Sequence, residues 1–375
     1  MLETPTPAEI ISGSVTDHCC TLSLNVLRAL QIGERIVTLE AHVRSFPPET
    51  REGICYGIGD VLKILHGTNI QAWAIEPGAC FFEHEPVLVL EGRADELALI
   101  RPSITGILAF STSFVTRARN FVKAAGDKPI FFFGQRKLHP AHVRQYIECA
   151  YVAGMEINTT PQALQIVHSA RLEDCGEHYA NLIADTSEAA WDAFLHLSPE
   201  DGALFIVLDN YDDPVTEMRK ALQQFGQQLK GVLVDTDSSR RGNIEAILGE
   251  IAWHLKVANR LDILLCLTGG VTPELVVRTS KHVSSYGVGL GALNGPQFDF
   301  ALQVVAVEHQ PRSKIGVRPG RKSIFVCDRC GSRIVDLFDL PPTCCGKPMA
   351  SQLSNVSNWA PIDLADVRKK IVAGA

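Results

Sequence analysis

The chain has 375 residues, enough for two or three domains and for the full hydrophobic core of an enzyme. Hydrophobic residues make up 46% of the sequence and charged residues 21%, and 35 basic against 42 acidic residues give a net charge of −7. Nucleic-acid-binding proteins usually carry a basic balance or a clustered basic patch, so this composition argues against nucleic acid as a main partner.

The N-terminus, the hydropathy and the cysteine count bear on location. The first ten residues contain Glu3 and two prolines but no basic run followed by an apolar core, so we expect no cleaved signal peptide. No apolar stretch reaches the roughly eighteen residues that a membrane-spanning helix needs. The chain has eleven cysteines, an odd number, and most of them are scattered along the sequence. Both features argue against a disulfide framework. We therefore expect a cytoplasmic protein without a membrane partner.

The first hundred residues mix strand and helix patterns. The segments IVTLEAHV, within 35–44, and PVLVLEGR, at 86–93, alternate as half-buried strands do, and 59–65 has the pattern of a short helix. From about residue 96, apolar residues recur at three- and four-residue spacings up to Gly126, which predicts one long helix. This part is predicted to be a mixed α/β unit.

After Gly126, short apolar runs alternate with helical segments. The runs are IFFF at 130–133, LFIVL at 204–208, VLV at 232–234, ILLCL at 263–267 and VGL at 288–290, and helices are predicted at 214–225, 243–255 and 273–279. Fully apolar strands separated by helices are typical of a parallel β/α barrel or layered sheet. Because such folds place their chemistry at the carboxyl ends of the strands, the residues after each run are the candidate site.

The last eighty residues return to alternation and end with four clustered cysteines. ALQVVAVEHQ and SIFVC predict strands of a second layer. Cys327 and Cys330 are followed after thirteen residues by Cys344 and Cys345, and four thiolates at such spacing predict a structural zinc site. The alternative is a set of reduced structural cysteines. Because Cys344 and Cys345 are adjacent, we expect their side chains to diverge, which leaves open which of them binds the metal.

Four strand ends carry residues suited to a phosphorylated sugar and an anionic partner. DTDSSRRG at 235–242 combines carboxylates, hydroxyls and two guanidinium groups, although it would also serve as a helix N-cap. The turns TGG at 268–270 and GVG at 287–289 follow the next two strands and expose backbone N–H groups that can hold a phosphate. FGQRKLHP at 133–140 offers two cations and a histidine to an anion, or forms a solvated turn.

Several segments, in order and with matching spacing, resemble the nicotinate phosphoribosyltransferase family, particularly its shorter archaeal-type members with a zinc knuckle. They are RARNFVKAAGDKPIFFFGQRKLHP, GVLVDTDSSRRGNIEAILGEIAWHL, the LTGG and YGVG turns and the closing CxxC knuckle. The resemblance implies an α/β fold in which an incomplete β/α barrel, 106–300, joins an α/β sandwich. The sandwich combines 1–105 with strands of 301–375, which include the knuckle 327–346. The resemblance also implies a homo-oligomer with active sites near a subunit interface.

The reaction that the resemblance implies joins nicotinate to phosphoribosyl pyrophosphate, giving nicotinate mononucleotide and pyrophosphate. It implies Mg²⁺ with the donor, structural Zn²⁺, and possible use of ATP through a phosphorylated histidine, for which His178 is the candidate. Asp235 is predicted to be catalytic and to bind the ribose hydroxyls. The other implied substrate contacts are Ser238, Ser239 and Arg240 in the same pocket, Gly269, Gly270, Gly287 and Gly289 at the 5′-phosphate, and Arg136, Lys137 and His139 facing pyrophosphate or the nicotinate carboxylate.

The sequence departs from the family pattern where the acceptor base and ATP are recognised. His18 stands where the family has a tyrosine that stacks on the pyridine ring, Leu233 replaces an arginine, and Lys137 replaces the second arginine of FGxRRxH. DCGEH at 174–178 replaces Gly-Thr-Met-x-His. Three hypotheses follow: a nicotinate phosphoribosyltransferase, a transferase with another acceptor base, and a non-catalytic sugar-phosphate sensor. A zinc hydrolase is disfavoured because no His/Asp cluster supplements the thiolates.

Overall fold

The computed structural model describes residues 4–48, 50–157, 160–167, 178–197, 205–237, 239–358 and 361–374. The chain divides into two compact units. The first contains the residues up to 116 together with 296–374, and the second contains 117–295. The first division between the units therefore falls inside one long helix, Arg101–Ala125.

The strands of the described residues are numbered in chain order. They are β1 Ile36–Val43, β2 Gly53–Ile54, β3 Gln71–Ala74, β4 Cys80–Phe81, β5 Pro86–Arg93, β6 Ile130–Phe132, β7 Phe205–Val207, β8 Gly231–Val234, β9 Leu264–Leu267, β10 Ser285–Val288, β11 Phe300–Val307, β12 Gln310–Pro311, β13 Lys322–Val326, β14 Arg333–Leu337, β15 Thr343–Cys344, β16 Lys347–Pro348, β17 Ala350–Ser351 and β18 Ser354–Asn355.

The α-helices follow the same numbering. They are α1 Pro7–Ser12, α2 His18–Ala29, α3 Ile58–Leu65, α4 Ala94–Ala98, α5 Arg101–Ala125, α6 Val143–Val152, α7 Ala163–Ile166, α8 His178–Ile183, α9 Ser187–Leu197, α10 Pro214–Phe225, α11 Ile244–Val257, α12 Pro273–Thr279, α13 Leu290–Leu293 and α14 Leu364–Ala373. Short 3-10 helices span Gln135–Lys137, Pro140–His142 and Gly226–Gln228. Within the described residues, no helix combines the length and apolar character needed to cross a membrane.

The first unit is built on an antiparallel sheet with the order β12-β11-β1-β5-β3-β18. Its central strand β1 pairs with β5 on one side and with the distant β11 on the other, so N- and C-terminal segments share one sheet. This confirms the predicted sandwich. The prediction that β1 is half-buried is wrong, because its polar face is also covered: Glu40 is 1% exposed and lies 3.0 Å from Lys322 Nζ of β13.

One predicted helix of the first unit is two helices. The pattern from about 96 to 126 predicts a single helix, whereas α4 ends at Ala98 and α5 begins at Arg101. Pro102 lies in the first turn of α5, where its missing N–H would have no helical partner in any case. The apolar spacing continues through the break because both helices bury the same face, including Leu97 and Ile104.

The second unit contains a parallel sheet with the order β6-β10-β9-β8-β7. Its first strand β6 pairs with its last strand β10, as in a closed barrel, and Glu156 forms a parallel bridge with Phe131 on the other side of β6. Among the described residues, no strand fills the space between Glu156 and β7. Within the described residues the ring of strands is thus open at this place, and the parallel sheet agrees with the predicted incomplete β/α barrel.

The last barrel strand lies earlier than the apolar run VGL predicts. β10 spans Ser285–Val288, because Tyr286 is fully buried and its hydroxyl donates to Val276 O at 2.9 Å. Gly287 consequently lies inside the strand rather than after it. Gly289 is the N-cap of the short helix α13, with φ −83°, so it needs no left-handed backbone.

Candidate functional site

A cavity of about 820 Å³ lies at the carboxyl ends of β7, β8 and β9 in the second unit. Three loops supply its walls, as the parallel-strand argument predicts. The lining residues are His178, Asp209, Asn210, Tyr211, Asp212, Asp213, Pro214, Asp235, Thr236, Asp237, Arg240, Arg241, Ile247, Gly269 and Gly270. The structure thus brings together five of the residues predicted from the sequence, namely His178, Asp235, Arg240, Gly269 and Gly270.

The turn after β9 packs against Asp235 without room for a side chain. Gly269 and Gly270 have φ values of +71° and +52°, a left-handed conformation that glycine adopts readily. A Cβ on Gly269 would lie 2.5 Å from Asp235 Oδ1 and 2.8 Å from Arg241 Nη2. Successive backbone amides in such a turn can form an anion-binding concavity. The close approach places that backbone beside a carboxylate and a guanidinium group.

Arg241 holds the ends of two strands together. Its Nη2 donates to Thr236 O at 3.0 Å and to Thr268 O at 3.4 Å, and its Nε donates to Thr236 O at 3.3 Å. These bonds fix a positive charge between the loops that follow β8 and β9. Sequence reasoning selected Arg240 from the pair Arg240-Arg241. The same strand-end position also predicts Arg241 as a site residue, since the two arginines are adjacent in the segment that follows β8.

Asp235 does not cap a helix. Helix α11 begins at Ile244, and its N-cap is Asn243, whose Oδ1 accepts from Ala246 N at 3.2 Å. The capping interpretation of Asp235 is therefore wrong. Burial raises the pKa of Asp235, and electrostatic interactions with His178, Arg136, Arg241 and Lys137 oppose that increase. A partly buried carboxylate surrounded by cationic groups faces the cavity.

A second carboxylate, Asp209, follows β7 and was missed from the sequence. It takes a left-handed conformation with φ +62°, and within the described part of the chain neither carboxylate oxygen has a hydrogen-bond partner of normal geometry. Its pKa is raised to about 6, because burial disfavours the charged form more than the nearby Thr236 hydroxyl and His178 favour it. The strand-end argument that selected Asp235 applies equally to Asp209, which directly follows the run LFIVL.

We expect Asp209→Asn to stabilise the protein at pH 7.5 and not at pH 4. The pKa of Asp209 is higher in the folded than in the unfolded chain, so ionisation between about pH 4 and pH 6 costs folding free energy. Removing the charge should recover about 1–3 kcal/mol above that window and almost nothing below it. Urea unfolding at the two pH values measures the difference.

The control for this measurement is Asp212→Asn on the same loop. Asp212 pairs with Lys220 Nζ at 2.6 Å, and both side chains are exposed to solvent, so its removal should not stabilise the chain at pH 7.5. An equal effect of Asp209→Asn at both pH values would show that its carboxylate is not destabilised by burial.

His178 begins α8 and lines the same cavity. Its Nδ1 lies 2.8 Å from Oδ1 of Asn210, the residue after Asp209. Residues 174–177, which complete the motif in which it was predicted, lie outside the described residues. The structure thus places an imidazole beside the two carboxylates.

The remaining cationic candidates follow β6. Arg136 and Lys137 are exposed in the 3-10 helix Gln135–Lys137, and their charges act on Asp235. His139 is exposed, and its Nδ1 accepts from Ala141 N at 3.3 Å as the N-cap of the next 3-10 helix. His139 is not among the described residues that line the cavity.

Ser239 and the second glycine pair are also absent from the described residues that line the cavity. Ser238 lies outside the described residues, and Ser239 is exposed with its backbone N–H donating to Asp237 Oδ1 at 2.8 Å. A Cβ on Gly287 would lie 2.2 Å from the ring of Phe133, so the strand needs glycine there for packing. Nothing described lies within 4 Å of a Cβ placed on Gly289.

The four C-terminal cysteines of the first unit form one cluster able to hold a metal ion. Ligand atoms of Cys327, Cys330, Cys344 and Cys345 all lie within 4.8 Å of one another. The Sγ atoms of Cys330 and Cys344 are 3.5 Å apart, and those of Cys344 and Cys345 are 3.9 Å apart. Tetrahedral zinc with Zn–S of about 2.3 Å separates its sulfurs by about 3.8 Å, so the donor set fits this ion.

The expected divergence of Cys344 and Cys345 is wrong. Cys345 has φ +49° and Gly346 has φ +79°, and this tight left-handed turn directs both sulfurs to the same point. Backbone N–H groups of Cys330 and Arg329 lower the pKa of Cys327 to about 7, which favours the thiolate that metals bind. Every sulfur of the predicted set is therefore placed to act as a ligand.

Comparison with known proteins matches residues 22–112 to the family model of the quinolinate phosphoribosyl transferase N-terminal domain. The nicotinate phosphoribosyltransferase pncB2 of Mycobacterium tuberculosis is 23% identical over 284 residues, which cover 71% of this chain and 59% of the relative. The nicotinate phosphoribosyltransferase of Bacillus subtilis is 19% identical over 273 residues, covering 68% and 54%. The matches thus span less than two thirds of the length of these relatives.

Two solved structures match almost the whole chain. The nicotinate-nucleotide pyrophosphorylase of Pyrococcus furiosus superposes with a TM-score of 0.92 at 25% identity, covering 99% of this chain and 97% of that one. Human nicotinic acid phosphoribosyltransferase superposes with a TM-score of 0.71 at 16% identity, covering 96% and 93%. The fold is that of the type II phosphoribosyltransferases, and the sequence relatives together with these structures support a protein of the nicotinate phosphoribosyltransferase type.

Proposed function

We propose that this protein joins nicotinate, or a close pyridine carboxylate, to phosphoribosyl pyrophosphate, giving nicotinate mononucleotide and pyrophosphate in the salvage of NAD. The observation that carries the proposal is the cavity at the ends of β7, β8 and β9, where Asp235 lies directly against the left-handed turn Gly269-Gly270. A carboxylate beside an anion-binding turn suits a sugar with a phosphate.

In this proposal the chain supplies binding and charge stabilisation to the reaction. The ring nitrogen of the acceptor attacks the anomeric carbon as pyrophosphate leaves, and positive charge develops on the sugar. Asp235 accepts hydrogen bonds from the ribose hydroxyls, and its negative charge stabilises that developing charge. The backbone at Gly269 and Gly270 holds the 5′-phosphate. Arg240 and Arg241 bind anionic oxygens, and Arg136 and Lys137 face the leaving group or the acceptor carboxylate.

Mg²⁺ and ATP belong to the proposal as ligands of the same cavity. Mg²⁺ commonly binds through one or two carboxylates together with substrate phosphates, and the carboxylates of Asp209 and Asp235 fit that role. The ion would neutralise charge on the pyrophosphate. ATP use depends on His178, the imidazole in the cavity. Zinc in the cysteine cluster is proposed as structural, because four thiolates leave no open position for substrate.

The test is incubation with phosphoribosyl pyrophosphate, Mg²⁺ and a panel of pyridine carboxylates and amides, with and without ATP. We expect pyrophosphate release with nicotinate or another carboxylate of the panel. Stimulation by ATP that is lost in His178→Gln would assign His178 its predicted role. No release with any acceptor, together with tight donor binding by calorimetry, would replace the proposal with a sugar-phosphate sensor.

A second candidate, transfer to another acceptor base, is favoured by an apolar cluster in the barrel. Leu233 is 4% exposed and packs with Phe205, Val207 and Cys266, and with the partly buried Phe133. The family pattern has an arginine at the position of Leu233, so a charge is replaced by an apolar side chain. Neutral heteroaromatic bases therefore belong in the acceptor panel, and a preference for one of them would support this candidate.

We expect Gly269→Ala to weaken donor binding by at least about tenfold. The added Cβ would displace Asp235 and Arg241, and the residue would be strained at φ +71°. Titration calorimetry with phosphoribosyl pyrophosphate measures the change. The matched control is Gly106→Ala, because nothing described lies within 4 Å of its Cβ and it is helical. If a folded Gly269→Ala variant binds the donor as tightly as wild type, this turn does not bind the phosphate.

The other roles predicted from the sequence stay predictions. They concern Ser238, Ser239, His139, Gly287 and Gly289 as substrate contacts, assembly into a homo-oligomer, and location in the cytoplasm without nucleic-acid or membrane partners. Gly289→Ala tests one of them sharply, because its Cβ meets nothing described. A loss of donor affinity in that variant would arise from contact with the ligand.

A further inference from the structure

We infer that Asn210 is a positioning residue that fixes the proton of His178 on Nδ1 and so leaves Nε2 as the ring nitrogen with a free lone pair. Hydrogen bonds alone identify Nε2 as the nitrogen with the lone pair. A role for Nε2 in the reaction rests on the proposed function.

The amide group of Asn210 has one orientation that satisfies its neighbours. Its Nδ2 donates to Val207 O at 2.9 Å and to Glu217 Oε2 at 3.0 Å. Both acceptors are oxygens without a proton to offer. A flipped amide would place Oδ1 against these two oxygens and lose both bonds, so Nδ2 must face them.

Glu217 keeps this arrangement in place. It is 1% exposed in α10, and its carboxylate also accepts backbone N–H groups from Asn210 at 3.0 Å, Tyr211 at 2.9 Å and Asp212 at 3.3 Å. A buried carboxylate with this many donors is anchored by the backbone of the loop that follows β7. The Glu217 carboxylate is therefore a fixed acceptor for the side-chain amide of Asn210.

The oxygen of the amide then decides the tautomer of His178. Asn210 Oδ1 lies 2.8 Å from His178 Nδ1 and also accepts from Asn181 Nδ2 at 3.0 Å. An amide oxygen can only accept hydrogen bonds, so Nδ1 carries a proton. In the neutral imidazole the lone pair is consequently on Nε2.

An amide at this position has a different effect from a carboxylate. Asp209 and Asp235 already act on His178 electrostatically, and a third negative charge at Nδ1 would favour the imidazolium ion. Asn210 orients the ring without adding that charge. In the neutral ring, Nε2 therefore remains the nitrogen that can accept a hydrogen bond from a bound substrate.

The test is the side-chain ¹⁵N spectrum of histidine in the full chain at pH 8, without substrate, with the His178 signals assigned by their loss in His178→Gln. We expect the pattern of the Nδ1–H tautomer. Asn210→Leu keeps a similar volume but removes the acceptor, and it should shift His178 toward the Nε2–H tautomer and lower turnover at least about tenfold. Asn181→Leu is the matched control, since it removes a donor and leaves the acceptor, so the Nδ1–H pattern should persist.

Asn210→Asp gives a second readout if the leucine variant does not fold. Its carboxylate still accepts from Nδ1, so we expect the same tautomer with the histidine titration midpoint moved to higher pH. A wild-type His178 in the Nε2–H form would overturn the inference, as would an unchanged tautomer in a folded Asn210→Leu variant. Because these spectra need no substrate, an inactive wild-type protein with the Nδ1–H pattern would refute the proposed function and leave this inference standing.

Discussion

Asp235→Asn is expected to lower turnover by about 100-fold or more while leaving the fold intact. The carboxylate lies at the end of β8, partly buried and beside the turn Gly269-Gly270. Its charge would act most strongly as positive charge develops on the ribose, so its loss should raise the barrier by about 2.7 kcal/mol, the equivalent of 100-fold in rate. An amide still accepts one hydrogen bond but carries no charge.

Stability should move in the opposite direction to turnover. Burial raises the pKa of Asp235, so its ionised form is a cost to the folded chain, and asparagine should leave the melting temperature unchanged or higher. Steady-state kinetics with the best acceptor and thermal unfolding measure the two effects. Asp192→Asn is the control, since Asp192 is an exposed carboxylate that is absent from the described residues lining the cavity. If the turnover of Asp235→Asn stays within twofold of wild type, Asp235 does not bind the ribose hydroxyls as proposed.

The sequence allowed much of the fold to be predicted because the barrel strands are almost wholly apolar. Helices α10 and α12 begin and end as predicted, since each has proline at its start. The predictions failed where tertiary contacts decide. β10 begins at Ser285 because Tyr286 is buried with its hydroxyl bonded, and β1 is covered on its polar face by an ion pair to Lys322. Neither contact is visible in local periodicity.

The candidate site could be predicted only in part for a related reason. Strand-end position selects Asp235 and the turn Gly269-Gly270, because all parallel strands end at one edge. It selects His139 as readily, although the structure shows its side chain capping a 3-10 helix and its role in substrate binding stays a prediction. The same rule would have selected Asp209, whose importance comes from burial and the lack of a normal hydrogen-bond partner among the described residues. Spacing along the chain carries no information on either property.

Removal of metal from the cysteine cluster is expected to unfold the surrounding module and lower the stability of the chain. Cys327 directly follows β13, Cys330 directly precedes Gly331, and Cys344 belongs to β15, so the four sulfurs come from separate segments. Among the described residues, a small apolar cluster of Phe325, Cys327 and Met349 packs beside them. Metal binding to such a site supplies folding free energy, with apparent values of about 10–16 kcal/mol for small zinc modules. We expect one zinc per chain in protein purified without added metal, by elemental analysis.

Single substitutions distinguish a zinc site from a cluster of reduced structural cysteines. Cys330→Ser and Cys345→Ser should each lose zinc and expose 327–349 to proteolysis. Cys19→Ser is the matched control, because Cys19 is an exposed free thiol outside the cluster. Both Cys344 and Cys345 should matter, since the left-handed turn at Cys345 brings their sulfurs to 3.9 Å. Protein free of zinc whose module resists proteolysis as well as wild type would show that the cysteines stabilise this region by packing alone.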